Sequence, residues 1–149
     1  MITIELKQPI PFEPAVLERA ALIALEHQSV ERGTEVTILV TGDEGIQDLN
    51  LEYRGEDSPT DVLSFTALEP DPETGNPYLG DIVISAERAA EQAEAAGHPL
   101  EAEMQLLVVH GVLHLCGHDH GEPEKKARMW AAQAEILGRL GLSGMTISE

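Results

Sequence analysis

One segment constrains this chain more than any other. From Met104 to Cys116 it is apolar on nearly every face of a helix, yet it carries two histidines, His110 and His114. A helix without a polar face cannot lie on a surface, so it is expected to be a central helix covered on all sides. Residues four apart share a helix face, so both imidazoles project in one direction. Gly117 follows as a stop, because glycine tolerates the left-handed backbone that helix ends often need. The returning chain brings His118 and His120 toward the first pair. Three neutral imidazoles meeting at one point make a zinc-type site. Three protein ligands leave the fourth tetrahedral position for water or substrate, which is the arrangement of a catalytic site rather than a closed structural one.

Packing alone does not explain why four of the six histidines fall within eleven residues. Local reading leaves the third ligand open between His118 and His120, which in an extended chain point to opposite sides. Asp119, between them, is either an acceptor that orients a ligand imidazole or a turn residue. Cys116 lies two positions past His114, about 200° around the helix, and reads as a small buried thiol. The zinc-protease pattern His-Glu-x-x-His places its general base directly after the first histidine. Here that position is Gly111. It cannot take a proton, but it can let a strand or substrate come close to the helix.

Composition narrows the classes. At 149 residues with 42 % hydrophobic content, the chain reads as a single domain over residues 1–149, long enough for a real core. No stretch is apolar over the roughly 18 residues that a membrane span needs. The first residues, Met1 to Glu5, lack the basic and apolar regions of a signal peptide. Cys116, as the one cysteine, excludes an internal disulfide. Together these point to a cytoplasmic protein. The net charge is −18, from 27 acidic against 9 basic residues. Such a surface repels polyanions at long range, so any nucleic-acid function must use a local cationic patch, a metal or a partner.

Along the chain, Met1 to Leu6 alternates as an edge strand does. Pro14 opens a helix with Val16, Ala20, Ile23, Ala24 and His27 at helical spacing. Glu35 to Thr41 reads as a strand with Val36, Ile38 and Val40 on one side. A second helix from Gly42-Asp43 shows Ile46, Leu49 and Tyr53 on one face. Asp61 to Thr66 and Gly80 to Ser85 read as strands able to pair like a hairpin, around an exposed, mobile loop from Glu69 to Pro77. Ser85 caps a helix through Ala96. The metal helix follows from about Leu100, and Pro123 opens a last helix with Ala127, Trp130, Ala134 and Leu137 at core spacing. The tail after Gly141 reads as loose. The expected fold is α+β: a small mixed sheet of about four strands with packed helices, and the metal-binding helix at the centre.

Arg54 ends the second helix. It can neutralise that helix's C-terminus, worth about 0.3–1 kcal/mol, or bind phosphate through its bidentate fork. Composition alone favours the first reading. Thr60 and Asp61 read as turn-to-strand residues. Outside the motif, His27 and His98 have no forced role. Lys125, Lys126 and Arg128 make a small basic cluster whose default is a solvated helix face.

Three upstream segments accompany the pattern His-Gly-x-Leu-His-Leu-x-Gly-x-Asp-His at 110–120. They are Asn-x-x-Tyr-Arg at Asn50 to Arg54, Pro-Thr-Asp-Val-Leu-Ser-Phe at Pro59 to Phe65, and Leu-Gly-Asp-Ile-x-Ile-Ser at Leu79 to Ser85. In order and spacing, along almost the whole chain, these resemble the YbeY family of bacterial endoribonucleases, the rRNA maturation factors. The resemblance implies a single-strand-specific, metal-dependent endoribonuclease acting in small-subunit rRNA 3′-end maturation and ribosome quality control. It implies a metal triad of His110, His114 and His120, which three-imidazole chemistry reads as one Zn2+ per chain, and a functional role for Arg54. Single-stranded rRNA, ribosomal small-subunit proteins and an assembly GTPase are the partners it suggests. His118 stands where the family pattern usually has an aromatic residue. Two other readings fit the metal motif: a noncatalytic assembly factor stabilised by its metal, and a metal hydrolase of another substrate.

Overall fold

The computed structural model describes residues 1–147. Strands β1 (Ile2–Leu6), β2 (Glu35–Thr41), β3 (Val62–Thr66) and β4 (Tyr78–Ser85) form one sheet in the order β1-β2-β4-β3. The first two junctions are parallel and the β3–β4 junction is antiparallel. The mixed sheet of an α+β fold is therefore present, with the hairpin-like pair at one edge and β1 at the other. Period-two alternation sends Val36, Ile38, Val40, Ile82 and Ile84 to one face, where all are buried.

Among the described residues five helices accompany the sheet: α1 (Ala15–His27), α2 (Asp43–Arg54), α3 (Ala86–Ala96), α4 (Leu100–Leu115) and α5 (Pro123–Arg139). Ser85 caps α3, its Oγ accepting from the Arg88 amide at 3.2 Å. α4 is the central helix: Ala102 to Leu113 is buried without a break. It packs on β3 and β4 and is flanked by α1, α3 and α5. One main cluster joins α1, α4, α5 and the inner face of the sheet. A smaller one on the outer face joins Ile46, Leu63 and Val83 under α2. Among the described residues no helix is long and apolar enough to cross a membrane.

Four expectations change. In α5 the buried stripe is Met129, Ala132, Gln133, Ile136 and Leu137, while Ala127 and Ala134 are exposed, so the helix is rotated from the expected face. In α2 the buried residues are Ile46 and Asn50, and Tyr53 is 63 % exposed. The acidic loop before β4 is exposed but tied: Asp71 Oδ1 accepts from the Glu73 amide at 2.8 Å, and Thr74 donates to Glu35. The segment after Gly141 is not loose through residue 147. Leu142, Met145 and Ile147 pack on the main core, and the Leu142 amide bonds the Leu137 carbonyl at 2.8 Å. The last two residues of that expectation lie outside the described residues.

Candidate metal centre

The end of α4 follows from local backbone chemistry. Gly117 adopts φ +94°, and its amide reaches the His114 carbonyl at 3.0 Å while the His118 amide reaches the Leu113 carbonyl at 3.0 Å. This paired closure satisfies two terminal carbonyls and reverses the chain. Asp119 then makes a tight turn, its Oδ1 accepting from the amides of His120 at 2.7 Å and Gly121 at 3.2 Å. Those backbone bonds, His120 first, hold the Asp119 carboxyl below its ordinary value. Of the two roles open to Asp119, its carboxylate thus serves the turn. The turn brings His120 back over the helix. One ligand nitrogen from each of His110, His114 and His120 lies within 4.8 Å of the others. His118 points elsewhere, its Nε2 2.8 Å from Gln28 Oε1.

The hydrogen bonds also set the imidazole tautomers. His114 Nδ1 lies 3.1 Å from the His118 carbonyl, which can only accept, so Nδ1 carries the proton. His110 Nδ1 donates to Gln133 Oε1 at 3.0 Å. Both Nε2 lone pairs therefore face one another, 3.1 Å apart. Two lone pairs at that distance repel unless a cation or proton lies between them. Nitrogens sharing a tetrahedral zinc with bonds of 2.0–2.1 Å sit about 3.3 Å apart, so the observed spacing fits a shared metal ion. Burial pushes His110 down to about 4, with His114 and His120 adding to the shift and Gln133 opposing it. His114 is lowered by burial and then by His120. Neutral imidazoles are the form that binds metal. Cys116 is no competitor, since burial pushes its thiol up to about 11.

The cluster opens into a pocket of about 840 Å³, with Arg54 and the β3 edge on its wall. Arg54 stands close enough to His114 for its charge to depress that imidazole further. Its Nη2 donates to the Ser64 carbonyl at 2.9 Å, and its guanidinium lies 5.6 Å from the Phe65 ring centre. The C-terminus of α2 is closed instead by Gly55 and the following amide. Asn50, on α2, shapes the same wall, its Nδ2 donating to the Ser58 carbonyl at 2.9 Å. Gly111 lets a strand approach: a Cβ there would lie 2.8 Å from Ile82 Cγ2. Its carbonyl also accepts from Ser64 Oγ at 3.2 Å. His27 and His98 sit away from the cluster, paired with Glu135 and Glu103.

Two residues of α5 complete the site and were not singled out for it from sequence. Gln133 is 2 % exposed and orients His110. Trp130 stands edge-on to His110 and His120, with ring centres 5.9 and 5.5 Å away and Lys126 5.3 Å from its own ring. The available signal was Gln133 itself, a polar residue inside an apolar stripe, which must find a partner when buried.

The model of the family described as endoribonuclease YbeY matches residues 7–141. The chain belongs to the endoribonuclease YbeY family. Relatives of that name agree. The one from Bacillus licheniformis is 46 % identical over 137 residues, covering 87 % of this chain and 86 % of that protein. The one from Symbiobacterium thermophilum is 49 % identical over 135 residues, covering 86 % of each. Among solved structures, a Thermotoga maritima protein studied in solution matches with a TM-score of 0.59 and 29 % identity, over 93 % of this chain and 91 % of that one. The YbeY motifs therefore surround a pocket in which three imidazoles face one arginine.

Proposed function

We propose that this chain is a zinc-dependent endoribonuclease, specific for single strands, that cleaves rRNA in small-subunit 3′-end maturation and ribosome quality control. It would act in the cytoplasm as one domain over residues 1–149, beside ribosomal small-subunit proteins and an assembly GTPase. The observation that carries the reading is the placement of three converging imidazoles across one pocket from Arg54. The names of its close relatives support the reaction class. Among the described residues the grouped donors are imidazole nitrogens, a set that suits zinc together with other borderline ions such as copper, nickel and iron, and zinc content by elemental analysis decides among them.

His110, His114 and His120 would hold the ion. When bound, it supplies Lewis acidity for the phosphodiester and for the attacking water. Gln133 and the His118 carbonyl keep the Nδ1 protons in place, so that both Nε2 atoms stay available. Arg54 is held by Ser64 and Phe65 before substrate arrives, so its charge meets the phosphate with little reorganisation.

Elemental analysis beside cleavage of a single-stranded RNA tests this. His114→Ala should lose zinc and cleavage together. Arg54→Ala should keep zinc and cleave at least about a hundredfold more slowly. Cleavage that persists in metal-free protein ends the mechanism, and an unchanged rate in Arg54→Ala returns that residue to a structural role.

A further inference from the structure

α2 covers only part of the outer face of the sheet. Ile46 and Leu49 lie over Leu63 and Val83, and beyond them the strands stay bare around a basin of about 1030 Å³. Thr37, Leu39 and Asp81 line it from the strands, and two exposed apolar residues, Tyr53 and Leu68, line it as well. The basin and the metal pocket meet at Arg54, Ser64 and Thr66, which line both.

The junction is built from flat groups. Tyr53 and Phe65 rings lie 5.3 Å apart at 57°, and Arg54 sits over Phe65 while its Nη2 is held by the Ser64 carbonyl. Tyr53 is 63 % exposed, so its ring offers a face to anything entering. Every base has a π-face, so stacking on such a ring does not depend on sequence. Both cavities carry carboxylates, and Glu56, Asp61 and Asp119 line the metal pocket. Among the described residues, the charged groups lining the basin besides Arg54 are Glu5 and Asp81. Carboxylates repel phosphate, yet they accept hydrogen bonds from the amino groups of adenine, cytosine and guanine. Among the described residues Arg54 is the one lysine or arginine lining either cavity, so a nucleotide at the junction would leave its phosphate there, and the rings and carboxylates of the basin would meet its base.

We propose that this basin is a nucleobase subsite, stacking on Tyr53 the base that neighbours the scissile phosphate while Arg54 holds that phosphate at the boundary. The subsite rests on the metal pocket being the cleavage site, and its test reads binding so that the two can fail separately. Zinc-loaded protein is titrated into short single-stranded RNAs that carry 2-aminopurine at one position at a time, and anisotropy and quenching are read before cleavage proceeds. One position should be quenched. Tyr53→Ala should abolish that quench and weaken binding by about five- to a hundredfold, with zinc content unchanged. Tyr53→Phe should keep both signals. An abasic residue at the quenched position should cost the wild-type protein the same factor and cost Tyr53→Ala nothing more. Tyr53-dependent binding without cleavage keeps the subsite and removes the nuclease reading. RNA binding that ignores Tyr53→Ala overturns the subsite and leaves the basin to a protein partner. Absence of RNA binding by the wild-type chain overturns it too.

Discussion

His110 and His114 turn their Nε2 atoms toward one another at 3.1 Å because each ring spends its Nδ1 proton elsewhere. Gln133 is thus a positioning residue. Gln133→Leu keeps the volume of a 2 %-exposed side chain but removes the acceptor. Zinc affinity should fall about ten- to a hundredfold, as read by competition with a chelating dye, while Gln133→Glu retains binding. The same burial makes metal-free protein acid-sensitive. An unfolded histidine titrates near about 6.5, whereas His110 in the fold does so at about 4. Between those values the unfolded chain binds the extra proton, so stability falls as pH falls through that window. His110 contributes on the order of 3 kcal/mol to this loss, and His114, also lowered, adds with the same sign. Urea denaturation of apo-protein at pH 7 and pH 4.5 should show the drop, and equal midpoints would rule it out.

Gly111 matters at the scale of elements, where α4 crosses β4. An added Cβ would meet Ile82 Cγ2 at 2.8 Å, Cγ1 at 3.1 Å and Cδ1 at 3.2 Å. Ile82 is fully buried in a central strand, so the clash has no exit. Alanine gains up to about 1 kcal/mol of helix propensity over glycine, but overpacking costs about 1–3 kcal/mol. Gly111→Ala should therefore lower Tm by about 3 °C in a melt of the apo-protein, and a rise in Tm would contradict the close crossing. Element existence was largely legible in the sequence: strand alternation, the Ser85 cap and the Gly117 stop all act within a few residues. Element orientation was less so. Tyr53 and Ala134 stand at helical spacing with apolar neighbours, yet both face solvent. Short amphipathic helices allow a rotation of one position, and only the surface they pack against selects it.

For the whole molecule, the net charge of −18 bears on how RNA can be held. Arg54 is the one arginine or lysine among the described residues lining either cavity. Free RNA binding should then release about one or two counterions, and a salt increase from 50 to 200 mM should weaken it by less than about tenfold. A steep salt dependence in an anisotropy titration would reveal a basic surface elsewhere. The chain's own residues determined the paired histidines, the buried helix that carries them and the glycine that ends it, because all three depend on neighbours a few positions away. From those residues alone, His118 and His120 were equal candidates, and it was the family resemblance that favoured His120. Which ring turns inward, that Gln133 on a distant helix holds His110, and that Tyr53 stands open beside Arg54 were decided by the tertiary structure. These depend on how separate elements pack and on which buried polar groups then need partners, and spacing along the chain records neither.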